Sequence, residues 1–383
     1  MALDHHAISR KLRHARELQS LDIEMVSRAT GISADRVKSV EMGNSKPTGD
    51  EVLILANFYR HDFRDFLDNT RPAPFEQTDI LYRRHGEAFT PADRRAIQEF
   101  IFLCEIEFTL ETQLAIPKLA FSFAPQGTNY KSHGKAAAKA LRSVLGFAPN
   151  VIPLDVFDEF RRLGFHVFRR RLANSDISGL YIEHPIAGHC LLVNYDEDVY
   201  RQRFSASHEA AHAIFDSSEA VMVTYCKGAS RYDAHDLREI RANCFASCFL
   251  MPPDQLPRLD RWTLDEAIVQ AKRMRVSTTA LSIALRQANL VDESTARLIR
   301  SVSVPTAEKT DPEAPANLNE KQRARRMILL ECCGLSDYYV GLCFEAYYRE
   351  LISVGRLGEA LLTDHAGTQE ISVLFGRSIQ YAT

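Results

Sequence analysis

The sequence predicts an α+β fold that is mostly α-helical, and three observations support this class. Apolar residues recur at helical spacing through most of the 383 residues. Between about residues 165 and 193 the pattern changes to short apolar runs bounded by turn residues, which is typical of strands. The chain then reads His208-Glu209-Ala210-Ala211-His212, an H-E-x-x-H pattern in an alanine-rich stretch that favours helix. We therefore expect a helical protein that contains one small sheet.

Length and composition indicate a globular protein of two or three domains. The hydrophobic content of 45% and the charged content of 25% are globular values. The formal net charge is −3, so no overall field favours nucleic acid, and any DNA contact must come from a local basic face. The N-terminus lacks an apolar signal core, and no run of roughly 18 apolar residues occurs. We expect a soluble protein of the cytoplasm.

The eight cysteines are scattered and lack any C-x-x-C spacing. In a reducing compartment we expect them to be buried small hydrophobic residues. Cys244 and Cys248 are four residues apart and share a helix face, so a metal role for this pair is the alternative.

Residues 1–68 predict a bundle of five short helices. Apolar residues at 8, 12, 15 and 18 give the first helix, and the others are expected over 23–30, 34–42, 50–59 and 62–67. Gly31-Ile32-Ser33 separates the second helix from the third as a glycine turn that ends in an N-cap serine. Two short helices joined by such a turn predict a helix-turn-helix.

The stretch VSRATGISADRVKSVEMGNSKPT resembles the DNA-binding domains of the Xre, phage-repressor-like type. One departure is Ile23, where that family often has glutamine. The resemblance implies that the third helix enters the major groove of an operator. The implied DNA contacts are Ser33, Asp35, Arg36, Lys38, Ser39 and Lys46. The alternative is a protein–protein module, since the acidic side chains of residues 1–70 balance the basic ones.

Residues 69–134 are expected to connect the N-terminal bundle to the following domain. Two prolines over 69–78 indicate a linker, and residues 79–115 then look helical. Thr90-Pro91-Ala92-Asp93 is a helix start, and the long apolar run after it predicts a connector or dimer helix. A homodimer also fits a DNA-reading domain that binds two half-sites.

Residues 135–302 are expected to form the domain that carries the H-E-x-x-H helix. Helices are predicted over 135–146 and 154–163, and three strands over 165–169, 177–183 and 189–193, forming an antiparallel sheet. The stretch from about 216 to 233 is predicted to be irregular, and a helix follows over 236–250. A small sheet ahead of an H-E-x-x-H helix is the layout of zincin metallopeptidases.

Two separated motifs in this domain resemble the ImmA/IrrE family of zinc metallopeptidases. They are R-x-x-x-S-x-x-H-E-x-x-H at 201–212 and E-x-x-A-N-x-F-A-x-x-x-L-M-P at 239–252. The resemblance covers roughly residues 135 to 290. An Xre-type domain ahead of this module is a familiar arrangement in that family.

A catalytic zinc ion takes three protein ligands and keeps one position for water. His208 and His212 lie at i and i+4 of a helix and supply two ligands. The third is expected from Glu239, which matches the family's glutamate, and Glu209 is the expected general base. Asp216 is the main alternative third ligand, and His235 and Asp236 are further ones. Candidates for stabilising a substrate oxyanion are Tyr181, Tyr232, His235 and Arg238, while Asn243 is expected to orient ligands or to cap backbone rather than to react.

The C-terminal part is predicted to be a proline-containing flexible linker over 303–318 and a small helical domain over 319–383. For the whole chain we expect a zinc endopeptidase tethered to DNA. The resemblance implies that it cleaves a transcriptional repressor in a stress or mobile-element response. The alternative is a DNA-binding regulator whose zincin-like domain senses a metal, a ligand or a partner without proteolysis.

Overall fold

The computed structural model describes residues 4–68, 76–225, 234–314 and 318–379. It is a mostly helical α+β structure around one four-stranded sheet. Five short helices form the N-terminal bundle, which is held together by a small apolar core of its own. They are α1 His5–Leu18, α2 Ile23–Thr30, α3 Ala34–Glu41, α4 Gly49–Tyr59 and α5 Phe63–Leu67. Gly31 ends α2 with a φ of 74°, a left-handed conformation that glycine adopts without steric cost.

The remaining elements surround the sheet. Two helices precede it, α6 Glu76–His85 and α7 Pro91–Gln113. The central elements are α8 Tyr130–Val144, α9 Val156–Arg162, β1 His166–Arg170, β2 Ile177–His184, β3 Gly188–Asn194, α10 Val199–Phe215, β4 Val221–Tyr225, α11 Ala234–Leu250, α12 Leu264–Met274, α13 Thr278–Gln287 and α14 Glu293–Arg300. The last four are α15 Glu320–Cys333, α16 Asp337–Tyr348, α17 Val354–Ala360 and α18 His365–Leu374.

The sheet is mixed, and this corrects the prediction of an antiparallel sheet. Its strand order is β1-β3-β2-β4, and β1 pairs with β3 in parallel, while β2 is antiparallel to β3 and β4. The hairpin of β2 and β3 docks with β3 inward because Cys190, Leu191, Leu192 and Val193 are all fully buried and need cover on both faces.

Strand β4 lies inside the stretch that we predicted to be irregular, so that prediction was wrong at Val221–Tyr225. The strand is short and follows a 3-10 turn at Ser217–Glu219, which gives the sequence no long alternating pattern to show. It pairs with β2 from Ile182↔Val221 to Ile177↔Tyr225 and forms one edge of the sheet.

Alternate residues of each strand face two separate cores. Tyr181, Leu191 and Val193 face α10 together with α8, α9 and α11. Leu180 and Ile182 face the opposite core, which is built from α7 and the C-terminal helices. Because α10 and α11 lie on the same face of the sheet, side chains from these two helices meet there.

Helix α7 is a core helix that also carries the N-terminal bundle. Its Arg94 donates to the Leu18 carbonyl at the end of α1 at 3.1 Å, and Arg95 donates to the Phe58 carbonyl near the end of α4 at 2.7 Å. The last carbonyls of a helix lack partners within that helix, so these two arginines satisfy them and fix the bundle on α7.

The segment 303–314, expected to be a flexible linker, packs across β1. Glu313 accepts ion pairs from Arg161 at 2.7 Å and Arg169 at 2.6 Å, and Asp311 pairs with Arg169 at 2.8 Å. Both arginines and Glu313 are buried. The segment 303–314 is therefore tied to the sheet by charges that water screens little.

Within the described residues, no single helix is long and apolar enough to cross a membrane. Helices α15 and α16 pass the same test of length and composition as a pair that is bent by 89°.

Candidate metal centre

Two imidazoles on α10 face one point. The helix starts at Asp198, whose side chain caps the backbone amides of Tyr200 and Arg201. Small alanine side chains at 206, 210 and 211 are buried against the sheet, which brings the backbone of α10 close to it. His208 and His212 are one helical turn apart, and their Nε2 atoms are 3.0 Å from each other. Both side chains are buried, so a charge placed between them is shielded from water.

Glu239 on α11 completes a three-residue cluster with these histidines. Its Oε2 lies 3.2 Å from Nε2 of His208, and its Oε1 lies 3.2 Å from Nε2 of His212. One ligand atom from each of the three residues lies within 4.8 Å of the other two. Two imidazoles and one carboxylate are the donor set of many catalytic zinc sites, so the residues present fit a Zn²⁺ ion.

Asp216 lies behind the cluster. Its Oδ2 accepts from Nδ1 of His212 at 3.0 Å, so the carboxylate holds the far side of the ring and leaves Nε2 free for a ligand bond. Arg241 binds the other oxygen of Asp216 at 2.5 Å. Of the further alternatives, His235 and Asp236 have side chains outside the described part of the structure.

Asn243 plays the matching part for the first histidine. Its Oδ1 lies 3.2 Å from Nδ1 of His208 and can accept the proton of that nitrogen. Both imidazoles are therefore oriented from behind, one by an amide on α11 and one by a carboxylate at the end of α10. The sequence predicts that Asn243 orients ligands or caps backbone, and its contact with His208 fits the first of these roles.

The charges of the cluster shift its pKa values. Burial alone would lower the pKa of His212, but the hydrogen bonds with Asp216 and Glu239 and the charge of Glu209 raise it to about 9. Burial pushes the pKa of Glu239 upward, and the two histidines outweigh it and hold that pKa well below its usual range. A cation binding here competes with protons, as metal ions do at imidazole ligands.

Glu209 is a buried carboxylate beside this cluster. Its exposed fraction is 0%, and neither of its carboxyl oxygens has a hydrogen-bond partner of good geometry among the described residues. Burial raises the pKa of its carboxyl group. The charges of His208 and His212 and a hydrogen bond with Thr224 oppose part of this rise, so the carboxyl group of Glu209 is electrostatically linked to the histidine pair.

The residue of β2 that lies against the Glu209 side chain is Gly179. A Cβ atom at Gly179 of β2 would lie 2.9 Å from Oε1 of Glu209 and 2.9 Å from the Leu192 carbonyl oxygen. Sequence reasoning did not single out Gly179. A glycine in the middle of a strand often marks a close approach, which is the signal that points to this position.

The expected oxyanion donors have other partners or lie outside the described side chains. The Tyr181 hydroxyl binds Glu183 and lies 3.0 Å from Nδ1 of His189. Arg238 pairs with Glu219 at 2.8 Å and lies 3.6 Å from Asp216. Tyr232 and the side chain of His235 fall outside the described residues.

A second cluster of acidic and imidazole side chains lies on the other face of the sheet, and sequence reasoning missed it. Glu107 and Glu111 are one turn apart on α7 and meet His166 of β1. His166 Nδ1 is 2.8 Å from Glu107, while Glu111 is bound by Lys118 at 2.5 Å and by the Tyr338 hydroxyl. Lys118 already supplies a positive charge here, which makes this cluster a less suitable cation site than the histidine pair.

The residues expected to contact DNA lie on and after α3. Ser33, Asp35, Lys38 and Lys46 are exposed. Arg36 keeps 32% of its side chain exposed but is held against the bundle. It forms a bidentate pair with Glu51 at 2.6 and 2.7 Å and donates to Ser45 Oγ at 2.8 Å. Ser39 Oγ lies 2.9 Å from the same Ser45 hydroxyl.

Comparison with known proteins finds a match for the part of the chain that contains the cluster. No curated protein matches the chain significantly. A family model does match part of it, and the matched part includes α10, α11 and all of His208, Glu209, His212 and Glu239. Residues 160–286 match the IrrE N-terminal-like domain, the Peptidase_M78 family model.

Proposed function

We propose that the chain is a zinc-dependent endopeptidase that cleaves another protein. The observation that carries the proposal is the fully buried carboxylate of Glu209, which interacts electrostatically with the cluster of His208, His212 and Glu239. A bound zinc ion supplies a water molecule of lowered pKa and a Lewis acid for the peptide carbonyl. The match to a metallopeptidase family model over residues 160–286 supports the same reaction class.

In this proposal, some side chains hold the zinc ion and orient its ligands, and Glu209 transfers protons. His208, His212 and Glu239 are the expected ligands, and Asn243 and Asp216 keep the two rings turned towards the ion. The carboxyl group of Glu209 accepts a proton and returns it to the leaving amine, for which a raised pKa is favourable. Removing this carboxylate should abolish cleavage and leave the ligand set intact.

The variant Glu209→Gln tests the peptidase. We expect it to retain zinc, measured by elemental analysis, and to generate no new protein N-termini when it is incubated with cell extract and the N-termini are labelled. The matched control is Glu266→Gln, a carboxylate of α12 that contacts Gln270 and should behave like the natural protein. If the natural protein and Glu209→Gln produce the same set of new N-termini, the peptidase proposal is wrong.

The N-terminal bundle is, in our proposal, the DNA-binding part, and a transcriptional repressor is the expected substrate. In support, α2 and α3 are joined by a glycine turn, and the exposed side of α3 carries Lys38, with Lys46 a short distance beyond. Among the described residues, no carboxylate lies within ion-pair distance of either lysine, so both remain available to phosphates.

Replacing these two lysines tests DNA binding without disturbing the bundle. We expect Lys38→Ala and Lys46→Ala to weaken DNA binding and to lower the salt dependence by about one counterion for each phosphate that is no longer neutralised. Lys272→Ala, which removes an exposed lysine of α12, is the control. Arg36→Ala is unsuitable as a probe, because it would break the pair with Glu51 inside the bundle. Unchanged affinity and salt slope in both lysine variants would contradict DNA contact at α3.

One observation favours the second candidate, a regulator that senses a metal or ligand without proteolysis. The cluster is enclosed: Glu209 and His212 are 0% exposed, and the Glu239 side chain, at 23%, is the most open of the four. A sensor needs only the ligands. In that case His208→Ala would change promoter binding, and Glu209→Gln would match the natural protein in every assay.

A further inference from the structure

A pair of thiols lies on the same helix as the metal ligand Glu239. Cys244 and Cys248 are one turn apart on α11, and both are partly exposed. In contrast, Cys104, Cys190 and Cys343 are buried, and burial raises the pKa of each. The pair on α11 thus combines access to solvent with a neighbouring thiol, whereas the buried cysteines are closed to solvent.

Cys244 lies against α8, where its thiol donates to the Lys131 carbonyl at 3.2 Å. That bond favours the protonated thiol, whereas the neighbouring Cys248 thiol and two lysines favour the thiolate. A hydrogen bond from the Cys248 thiol, opposed by burial and assisted by the positive charges of Lys131 and Lys135, lowers the pKa of Cys244 to about 7. The thiolate is the reactive form of cysteine, so Cys244 should react first and Cys248 second.

We propose that Cys244 is an oxidation site and that Cys248 resolves it as a disulfide within α11. The oxidant is a peroxide. The Cys244 thiolate attacks one peroxide oxygen, the O–O bond breaks, and the product is a sulfenic acid with release of hydroxide or water. The Cys248 sulfur then attacks the Cys244 sulfur, the S–O bond breaks, and a second water leaves as the disulfide forms. Two thiols are oxidised and one peroxide is reduced.

The disulfide would deform the helix that carries the metal ligand. Cβ atoms one turn apart in a helix are about 5–6 Å from each other, whereas a disulfide needs about 3.5–4.5 Å. Helix α11 cannot relax towards α8, because even a Cβ at Gly134 would lie 2.5 Å from the Arg241 carbonyl and 2.9 Å from the Phe245 amide. The strain therefore falls on the turn from Cys244 to Cys248 and on Asn243, which directly precedes it.

The metal affinity of the proposed centre would therefore depend on whether the two thiols are oxidised. Asn243 directly precedes Cys244 and orients His208, so a tightened turn moves a partner of one ligand. Disturbing such partners typically weakens metal binding about 10–100-fold. A strained disulfide is also easily reduced, which makes the change reversible. This last step rests on the proposed zinc site, whereas the thiol chemistry does not.

The test uses the full-length protein treated with an equimolar amount of hydrogen peroxide. Trypsin cuts at Arg241 and Arg258, so a single peptide, residues 242–258, contains both cysteines. We expect this peptide to become lighter by two hydrogen atoms, to resist alkylation and to recover both properties after reduction. In Cys248→Ser, dimedone should label Cys244. Cys332→Ser, which changes an exposed cysteine, is the control and should oxidise like the natural protein.

Metal retention is measured on the same samples with a chromophoric zinc chelator. We expect extraction from the oxidised protein to be about tenfold easier than from the reduced protein, and no such change in Cys244→Ser. An unlinked 242–258 peptide, or dimedone label on Cys332 in preference to Cys244, would overturn the oxidation site. A linked peptide with unchanged extraction would overturn the coupling. If the reduced protein binds no zinc, the proposed function fails, and the peptide alone then decides the oxidation site.

Discussion

At the scale of single residues, Gly179 shows how closely the backbone of β2 is matched to the carboxylate above it. The absent side chain leaves the volume that Glu209 occupies, and the same volume is bounded by the Leu192 carbonyl. A methyl group at this position would contact two oxygens closer than ordinary van der Waals distance. The position of Glu209, the expected general base, therefore depends on residue 179 of β2 having no Cβ atom.

Gly179→Ala should move Glu209 and leave the three proposed metal ligands in place. We expect the free energy of unfolding to fall by about 1–3 kcal/mol because of overpacking, measured by urea denaturation. Cleavage should fall while the zinc content stays constant. Gly49→Ala is the matched control, since a Cβ there meets nothing within 4 Å. A Gly179→Ala protein with the stability and cleavage of the natural one would show that Glu209 does not need this space.

At the scale of elements, a charged link joins α3 to α4 in the N-terminal bundle, beside its apolar core. Arg36 of α3 binds both oxygens of Glu51, and Glu51 also completes the capping box with Thr48 at the start of α4. The hydrogen bond from Arg36 outweighs burial and lowers the pKa of Glu51 to about 2. One carboxylate thus joins the helix proposed to read DNA to its neighbour.

This lowered pKa predicts how the stability of the bundle changes with pH. A carboxyl whose folded pKa is depressed stabilises the fold fully above its ordinary value of 4.5, and the contribution disappears as pH falls towards about 2. Glu51→Gln should therefore be less stable than the natural protein at neutral pH, and the difference should shrink through that window. Thermal unfolding at several pH values measures it, and a difference that is constant with pH would contradict the link.

At the scale of the whole molecule, the N-terminal bundle, the sheet and the C-terminal helices share one central helix. Phe100 of α7 packs edge-on against Phe168 of β1 at 5.9 Å, and Phe168 packs against Tyr339 of α16 at 5.4 Å. The arginines at the start of α7 hold the bundle. Of the segment 319–383, expected as a separate small domain, the described residues 319–379 contribute to the same core as the sheet.

Buried ion pairs anchor the segment 303–314 to α9 and β1. Glu313→Gln would leave Arg161 and Arg169 buried with less counter-charge, so we expect a loss of about 3–5 kcal/mol in the free energy of unfolding. Glu308→Gln is the control in the same segment, because its pair with Lys272 is nearly half exposed and should contribute less than about 1 kcal/mol. Equal effects of the two substitutions would mean that the segment is not anchored by charge.

Local patterns predicted those parts of the fold and site that depend on neighbours in sequence. The spacing of His208 and His212 defines a shared helix face, and Gly31 marks the turn between α2 and α3. The parallel pairing of β1 could not be predicted, because it depends on which strand of the β2–β3 hairpin docks inward. The contacts of Gly179 with Glu209 and of Glu107 with His166 join residues far apart in sequence. No local hydrophobic pattern could therefore predict them.

The burial of Glu209 and His212 has a consequence for timing. A hydrolase whose reactive groups are buried can bind substrate only while the structure over them is open. Its turnover rate is therefore limited by how often such openings occur. If the chain is the peptidase that we propose, it would then be inactive most of the time, and cleavage would rise only when some event makes these openings more frequent.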